Sequence, residues 1–347
     1  MAAGRGSRTT VAPAKTGENV KRAFWLCALT MMVIGGHNSA HAAQRITFAT
    51  DWKAQAEQGG FYQALGEGLY AARGLDVEIR QGGPAVNIPQ LLAAGAVDMG
   101  MGSNSFIPLN LVAAGAKVKA VMSAFQKDPQ VLITHPRDDI RSIADMRGHP
   151  IMISDASITA FWVWLRAKYG FADRDIRKYT FNLAPFLVDK NAIQQGYLTS
   201  EPYLIEQKTG EQPRLYLLAD TGYPSYAAMV LVPDALIAGK PETVQAFVDA
   251  TIEGWDHFVY GDRSAGTALI LKDNPDMSEA LIAQAVEKMK QYGIVRSGDA
   301  LTEGIGTMTD ARWKEFFGVM AKEGVYSPDL TYGDAYTLAF LHHSQAH

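Results

Sequence analysis

Cysteine is almost absent from this chain of 347 residues, and its absence excludes two kinds of chemistry. The single cysteine, Cys27, lies near the amino terminus in a stretch that we expect to be removed. The rest of the chain therefore predicts no disulfide and no thiolate nucleophile. The eight histidines show no ligand spacing, so neither a metal site nor a cofactor is predicted.

Long hydrophobic runs and an excess of positive charge are missing as well. The apolar run from Phe24 to Ile34 has eleven residues, whereas a helix that spans a bilayer needs about 20. The net charge is −4, and it becomes −8 when the five basic residues and one acidic residue of the first 43 are left out. This acidic balance argues against nucleic acid as a partner. After the first 43 residues there is no internal repeat, no low-complexity segment and no Gly-x-Ser-x-Gly motif of a hydrolase.

The amino-terminal segment has the three parts of a secretory signal peptide. Lys21 and Arg22 precede the apolar run, and Ala40-His41-Ala42 follows it as an Ala-x-Ala ending. We predict that residues 1–43 are a signal peptide, cleaved after Ala42 or Ala43, and that the mature protein is periplasmic. An interfacial helix is the alternative. The export route stays open, because Lys21-Arg22 resembles a twin-arginine signal only faintly.

The chain after the leader alternates between strand and helix patterns. The stretch Ile46–Gly83 predicts a strand, a polar loop, a helix and a second strand. This alternation continues to the strand Gln130–Thr134 and starts again after about His135. It predicts an α/β fold with two lobes, each a mostly parallel sheet flanked by helices. We expect lobe I to comprise residues 44–134 and 228–347, and lobe II residues 135–227.

Within lobe II the sequence predicts three strands and a helix. The strands are expected at Ile151–Ser154, Tyr179–Leu183 and Arg214–Ala219, and the helix at Ala160–Tyr169, where Gly170 ends it. The strand Met229–Val232 is expected to return the chain to lobe I, followed by a helical carboxyl-terminal region.

Several polar and aromatic residues follow predicted strands, where ligands bind in open α/β sheets. Trp52 lies in the loop Asp51–Gly60, and its ring could stack on a planar heterocycle or pack between the lobes. Ser103, Asn104 and Ser157 lie at predicted helix starts, where donors favour an anion or a carbonyl oxygen. A role as helix caps is the alternative for these three residues.

Five segments in register carry a resemblance to a known family: Asp51-Trp52, Gly74–Ile79, Gly95–Gly100, Ile143–Gly148 and Lys240–Phe247. Over nearly the whole mature chain they resemble the NMT1/THI5-like family of periplasmic solute-binding proteins. The resemblance implies a type II periplasmic binding fold that delivers a small solute to an ABC permease. Ligands of the family include thiamine-precursor pyrimidines and riboflavin, and neighbouring families bind sulfonates, taurine or nitrate.

The same family contains a pyrimidine synthase, and the chain departs from that enzyme's pattern at each functional position. The enzyme's catalytic lysine and histidine correspond here to Gly102 and Phe106, which can neither form a Schiff base nor transfer a proton. Its cysteine cluster corresponds to Gly222–Tyr226. We therefore predict a binding protein and not an enzyme.

The resemblance also implies an acidic ligand contact in the segment Tyr197–Tyr203. In pyrimidine-binding relatives an acid in this segment accepts hydrogen bonds from the amino group of the ring, which assigns that role to Glu201. Charge-assisted bonds of this kind are short and strong; a solvated loop acid is the alternative. The predicted ligand-binding residues are Trp52, Ser103, Asn104, Phe125, Ser157, Tyr197, Glu201 and Tyr223, with Gln126 and Tyr226 as neighbours of lesser weight.

The prediction is an exported solute-binding component of an ABC importer. It acts as a monomer, captures a small planar heterocycle similar to a thiamine-precursor pyrimidine between its lobes, and delivers it to the permease subunits. One alternative is an anion-binding protein for sulfonates, taurine or nitrate, although the candidate loops contain no arginine. An alternative of another class is a periplasmic enzyme or sensor module without transport.

Overall fold

The computed structural model describes residues 7–12 and 43–341, and from Ala43 onward the chain forms one compact unit. The apolar run of the expected signal peptide, Cys27 and the three histidines after residue 341 lie outside the described residues. Within the described part of the chain, no helix is both long and apolar enough to cross a membrane.

Residues 43–341 form ten strands and thirteen α-helices. The strands are β1 (Gln44–Ala49), β2 (Leu75–Arg80), β3 (Met99–Gly102), β4 (Val118–Phe125), β5 (Gln130–Thr134), β6 (Ile151–Ile153), β7 (Ile176–Lys178), β8 (Ile193–Tyr197), β9 (Arg214–Leu217) and β10 (Ala227–Pro233). The helices of the first half are α1 (Gly59–Gly66), α2 (Leu69–Ala72), α3 (Ile88–Ala93), α4 (Phe106–Ala113), α5 (Asp155–Ile158) and α6 (Phe161–Tyr169). Those of the second half are α7 (Ala184–Val188), α8 (Glu201–Thr209), α9 (Asp234–Gly239), α10 (Pro241–Tyr260), α11 (Ser264–Asp273), α12 (Glu279–Gln291) and α13 (Asp310–Lys322).

The strands form two sheets with the same pattern. The first has the order β2-β1-β3-β10-β4 and the second β7-β6-β8-β5-β9. In the first sheet β1 runs parallel to β2 and β3, and β10 is antiparallel to β3 and β4. In the second sheet β6 runs parallel to β7 and β8, and β5 is antiparallel to β8 and β9. The expected α/β class with two mostly parallel sheets is confirmed, as is the return of β10 to the first sheet.

Two expected features of the second sheet need correction. The strand Gln130–Thr134, assigned from the sequence to lobe I, pairs with β8 and β9 in the second sheet. The strand expected at Tyr179–Leu183 lies earlier, at Ile176–Lys178, because Phe181 has a φ of +61° that breaks the extended backbone. Neither error is visible locally, since strand pairing is decided by distant partners.

The chain crosses between the sheets twice, through residues 126–129 and 218–226. The two crossings lie side by side, and the Lys127 ammonium and the Asp220 carboxylate form an ion pair of 2.9 Å between them. We propose to move the lobe boundary from residue 134 back to the first crossing. Lobe I is used below for the part of the chain that carries the first sheet, and lobe II for the part that carries the second.

Helix α1, which follows the loop of Trp52, packs closely against α10 through glycines. A Cβ atom on Gly254 of α10 would lie 2.3 Å from the carbonyl oxygen of Gly60. A Cβ atom on Gly60 would lie 2.2 Å from the ring of Trp255. The start of α1, and with it the loop before it, is therefore held at a fixed distance from the lobe I core.

Gly254→Ala is expected to destabilise the protein by about 1–3 kcal/mol, because the added methyl meets backbone atoms that cannot move aside. Gly318 is the matched control, since it lies in the exposed face of α13 with nothing within 4 Å of its added Cβ. Gly318→Ala is expected to raise stability by about 0.5–1 kcal/mol. Urea unfolding of both variants checks the prediction, and equal unfolding midpoints for the two would contradict it.

Candidate functional site

The candidate site is the cleft where strand ends of the two sheets meet. From lobe I, β1 leads into Asp51 and Trp52, and β3 leads into Ser103. From lobe II, β7 leads into Tyr179 and β8 into Tyr197. Side chains from the two lobes are in direct contact there, as the distances below show. The carboxyl ends of strands in open α/β sheets are the usual place for a ligand.

The loop of Trp52 is held by its own backbone. The hydroxyl of Thr50 donates to the carbonyl oxygen of Trp52 at 2.7 Å, and the amide of Gly82 donates to the same oxygen at 3.0 Å. Gly82 is required at this approach, because a Cβ atom there would lie 2.3 Å from the Thr50 carbonyl oxygen. Trp52 itself is half-buried.

An aromatic chain crosses the cleft from Trp52. The ring of Trp52 lies 4.5 Å, centroid to centroid, from the ring of Phe181 in lobe II. Phe181 in turn lies 5.1 Å from the ring of Tyr179, which is buried. The hydroxyl of Tyr179 donates to a carboxylate oxygen of Glu201 at 3.2 Å. The aromatic chain therefore joins the expected stacking residue of lobe I to the expected acid of lobe II.

Glu201 is the first residue of α8 and is turned back toward the strand before it. Its second oxygen accepts a hydrogen bond from the backbone amide of Tyr197 at 2.8 Å. Burial raises the pKa of the Glu201 carboxyl, and the bonds from Tyr197 and Tyr179 partly oppose that shift. The solvated loop acid that the sequence left open as an alternative is therefore not what the structure contains.

Asp51 occupies the corresponding place in lobe I. The hydroxyl of Ser103 donates to one of its oxygens, and the amide of Gln58 donates to the other at 3.4 Å. Burial raises the pKa of the Asp51 carboxyl despite these bonds. Ser103 therefore does not cap α4 as the sequence suggested. Because the Ser103 hydroxyl donates its hydrogen bond to the Asp51 carboxylate, it is not available to donate to an anionic ligand.

A third acid, Glu57, connects the lobes and was missed in the sequence. The hydroxyl of Thr199, at the end of β8, donates to the Glu57 carboxylate, and the amide of Gln284 donates to the Thr199 carbonyl oxygen at 2.5 Å. Burial raises the pKa of Glu57 to about 7, and the carboxylates of Glu201 and Asp51 add to the shift. The only signal in the sequence was the position of Glu57 in the polar loop after β1.

A fourth acid, Asp128, lies on the first crossing. Its carboxylate accepts a hydrogen bond from the backbone amide of Gln130 at 3.1 Å, and burial raises its pKa to about 7. Burial raises the pKa of the Tyr197 phenol well above its ordinary value, and the negative charges of Asp128, Asp51 and Glu57 raise it further. The Tyr197 phenol is therefore close enough to three of the acids to be affected by their charge.

These four carboxyl groups have no basic partner among the residues that the structure describes. The hydrogen bonds they accept come from hydroxyls, one side-chain amide and backbone amides. The two lysines nearest in sequence are engaged elsewhere, Lys53 with Asp276 at 3.1 Å and Lys127 with Asp220. The cleft is therefore acidic and rich in hydrogen-bond acceptors.

The other four predicted residues contact residues outside the set just described, and ligand contact by them stays a prediction. Phe125 is fully buried, and its ring meets that of Trp255 at 5.1 Å. Tyr223 is buried among Trp164 of lobe II and Phe106 of lobe I, at ring distances of 5.1 Å and 6.4 Å. The remaining two act locally: the Asn104 side chain accepts from the Phe106 amide at 3.1 Å, and the hydroxyls of Ser157 and Ser154 are 2.9 Å apart.

The two neighbours of lesser weight are also engaged. The side-chain amide of Gln126 donates to the carbonyl oxygen of Thr307 at 2.9 Å. Tyr226 lies under the guanidinium of Arg312, at 4.2 Å from the ring centroid. The structure thus brings together Trp52, Ser103, Tyr197 and Glu201 of the predicted set, and adds the four residues that the sequence did not single out: Glu57, Asp128, Tyr179 and Phe181. Ligand contact by any of them is still a prediction.

Comparison with known proteins places the fold and the family. The model of the family described as "NMT1/THI5 like" matches residues 55–261. The riboflavin-binding protein RibY of Chloroflexus aurantiacus is 26% identical over 223 residues, which are 62% of this chain and 63% of that protein. The chain therefore spans less than two thirds of the length of this relative.

Solved structures share the fold at low identity. The periplasmic aliphatic sulphonate binding protein SsuA of Escherichia coli superposes with a TM-score of 0.64 at 15% identity, over 85% of this chain and 92% of that one. The desulfurization enzyme DSZB does so with a TM-score of 0.52 at 14% identity, over 86% of this chain and 97% of that one. Binding proteins and an enzyme thus both occur among proteins of this fold.

Proposed function

The chain belongs to the NMT1/THI5-like family, and on that premise we propose that it is the exported solute-binding component of an ABC importer. It captures a small planar heterocycle, similar to a thiamine-precursor pyrimidine, between its two lobes. It acts in the periplasm as a monomer and presents its closed form to the permease subunits. Nucleic acid is not a partner.

One observation carries the choice of ligand. Carboxyl groups of both lobes, Asp51 and Glu57 of lobe I and Glu201 of lobe II, lie near one another, and none of them has a basic partner among the described residues. Such a site favours a ligand that donates hydrogen bonds, and an aminopyrimidine edge offers paired N–H donors for a carboxylate. Trp52 supplies a face on which the ring can stack.

Ligand binding would act by shifting an equilibrium between open and closed forms. A ligand that contacts both lobes stabilises the closed form by its differential affinity for it. The hydrogen bond from Thr199 to Glu57 also joins lobe II to lobe I, and it holds the two lobes together in the closed form. No covalent step is needed, and Gly102 and Phe106 offer no group for the catalysis of the related synthase.

The anion-binding alternative finds less support in the cleft. An anion would have to approach four carboxyl groups, and the Ser103 hydroxyl that was to bind it donates to Asp51. The sulphonate-binding neighbour shares only the fold at 15% identity. A flavin is the second candidate ligand, because the curated relative named for riboflavin matches 223 residues. An enzyme or sensor without transport is the candidate of another class.

Calorimetry of the purified protein against an aminopyrimidine, riboflavin and taurine tests the proposal. We expect heat with the aminopyrimidine, a weaker signal with riboflavin and none with taurine. Binding of taurine alone would favour the anion reading, and the absence of heat with every aromatic probe would overturn the proposal. Gel filtration with light scattering tests the monomer.

Trp52→Ala is expected to weaken aminopyrimidine binding about tenfold, since it removes both ring stacking and the apolar area that the ligand would bury. Lys53→Ala is the matched control, because this exposed neighbour pairs with Asp276 outside the cleft. Affinities measured by calorimetry for the two variants and the wild type check the prediction. An unchanged affinity in Trp52→Ala would exclude stacking on this ring.

A further inference from the structure

The backbone of Phe181 has an unusual conformation for a bulky residue. Among the described residues, Phe181 and Ala228 alone carry a side chain at positive φ, +61° for Phe181. This left-handed conformation costs an L-residue with a large side chain of order 1–2 kcal/mol, and glycine or asparagine adopts it more readily. A residue held this way is a reason to look for a function, provided that other observations point to one.

Phe181 is not buried in a hydrophobic core that would offset the cost of its backbone conformation. Its side chain is 39% exposed, in a loop between β7 and α7. Its ring has two aromatic neighbours, Trp52 at 4.5 Å and Tyr179 at 5.1 Å. The first of these contacts crosses from lobe II to lobe I, and the second leads to the acid Glu201 through the Tyr179 hydroxyl.

We infer that Phe181 is a ligand-contacting residue that selects for aromatic ligands, forming with Trp52 two walls of the cleft whose ring planes are inclined by 53°. This inference rests on the proposed function and adds a residue that the sequence did not single out. The chemical class that it selects is a flat aromatic ring, neutral or positively charged, with N–H donors directed at Glu201. A saturated solute of the same size would bury apolar area against Phe181 but would lack the ring–ring interaction, worth about 0.5–1.5 kcal/mol beyond that burial.

The separation of the two walls defines how a ligand would enter. Rings in van der Waals contact lie about 3.5–4 Å apart, so a ring held between two others needs walls about 7 Å apart. The present distance of 4.5 Å between Trp52 and Phe181 means that the walls touch each other. The planes of the two rings are also inclined by 53°. Binding between them therefore requires the rings to move apart and to turn toward a parallel arrangement, after which the ligand replaces the contact between the two residues.

The test uses three variants of the full chain. Phe181→Ala removes the ring. Phe181→Asn removes it while keeping a residue that tolerates the left-handed backbone, so that a loss of folding and a loss of binding can be told apart. Val188→Ala is the control, because Val188 is an apolar residue of lobe II that is 84% exposed and takes part in none of the cleft contacts given above.

Calorimetric titration with the aminopyrimidine is expected to show about tenfold weaker binding in Phe181→Ala and Phe181→Asn, and wild-type affinity in Val188→Ala. Thermal unfolding is expected to show Phe181→Asn as stable as the wild type. Wild-type affinity in both Phe181 variants would overturn this inference and leave the proposed function intact. No binding of any aromatic probe by the wild type would overturn the proposed function, and this inference with it.

Discussion

Glu201→Gln is expected to weaken the binding of an aminopyrimidine by about 10- to 100-fold, the largest effect of any single change in the cleft. A hydrogen bond to a charged group contributes about 1.5–3 kcal/mol, and the substitution removes that charge while it keeps the size of the side chain. The amide oxygen of the new residue can still accept from the Tyr197 backbone amide, which now bonds to Glu201 at 2.8 Å. The fold is therefore expected to survive.

The pH dependence of binding gives this prediction a second readout. Burial raises the pKa of Glu201, and a ligand with N–H donors needs the ionised carboxylate. Affinity is therefore expected to fall as the pH falls and the carboxyl takes up its proton, and this dependence is expected to be weaker in Glu201→Gln. Calorimetry at several pH values measures both effects.

Glu206→Gln is the control for Glu201→Gln. Glu206 lies on the same helix α8, but its carboxylate accepts from the side-chain amide of Gln212 at 3.1 Å, away from the cleft. The control is expected to bind as the wild type does. If Glu201→Gln also keeps wild-type affinity, Glu201 serves only to hold the start of α8, and the hydrogen-bonding half of the proposal is wrong.

The second large effect is on stability as a function of pH, and it comes from Glu57. Burial raises the pKa of Glu57 from 4.5 to about 7, so the folded protein binds a proton at this site that the unfolded chain gives up. The contribution is fully present below pH 4.5 and is lost as the pH rises through about 7. At 1.36 kcal/mol per pKa unit, the free energy of unfolding loses on the order of 3 kcal/mol over this window.

Glu57→Gln is expected to remove this part of the pH dependence. Glutamine carries no charge at any pH, and its oxygen can still accept from the Thr199 hydroxyl. The variant is expected to match the wild type near pH 5 and to be more stable than it near pH 8. Urea unfolding at pH 5, 6, 7 and 8 measures the difference.

Asp128, like Glu57, is expected to make the folded protein less stable as the pH rises. Burial raises its pKa from 3.8 to about 7, so Glu57→Gln alone leaves a residual slope. The combination with Asp128→Asn is expected to flatten the slope further. Parallel slopes for the wild type and Glu57→Gln would mean that folding does not raise the pKa of Glu57, contrary to the prediction.

Of the two residues on which these predictions depend, the sequence analysis identified Glu201 and missed Glu57. Glu201 was singled out because the segment Tyr197–Tyr203 resembles that of pyrimidine-binding relatives. Glu57 follows β1 by eight residues in a polar loop and has no local feature that distinguishes it from a solvated acid. It accepts a hydrogen bond from Thr199, which lies 142 residues further along the chain, and Thr199 in turn accepts one from Gln284, 85 residues beyond it.

The aromatic residues show the same division. Trp52 could be found because it ends a strand, and strand ends line the ligand site in this class of fold. Tyr179 and Phe181 were predicted to lie within a strand, because both are apolar. The left-handed backbone of Phe181 shows that the chain turns there instead. Tyr223 and Phe125 were expected near the ligand. Tyr223 is buried against Trp164 of lobe II, and Phe125 is buried against Trp255 of lobe I.

The sequence by itself determined the alternation of strands and helices, the α/β class, the family, the position of Trp52 at a strand end and the segment that contains Glu201. These depend on hydrophobic periods and on motifs of a few residues, and both are local. Only the tertiary structure decided that β5 belongs to the second sheet, that Ser103 serves Asp51, and that Glu57 and Phe181 reach across the cleft. The physical reason is that burial, pairing and charge environment are set by contacts between segments far apart in the chain, which no local pattern records.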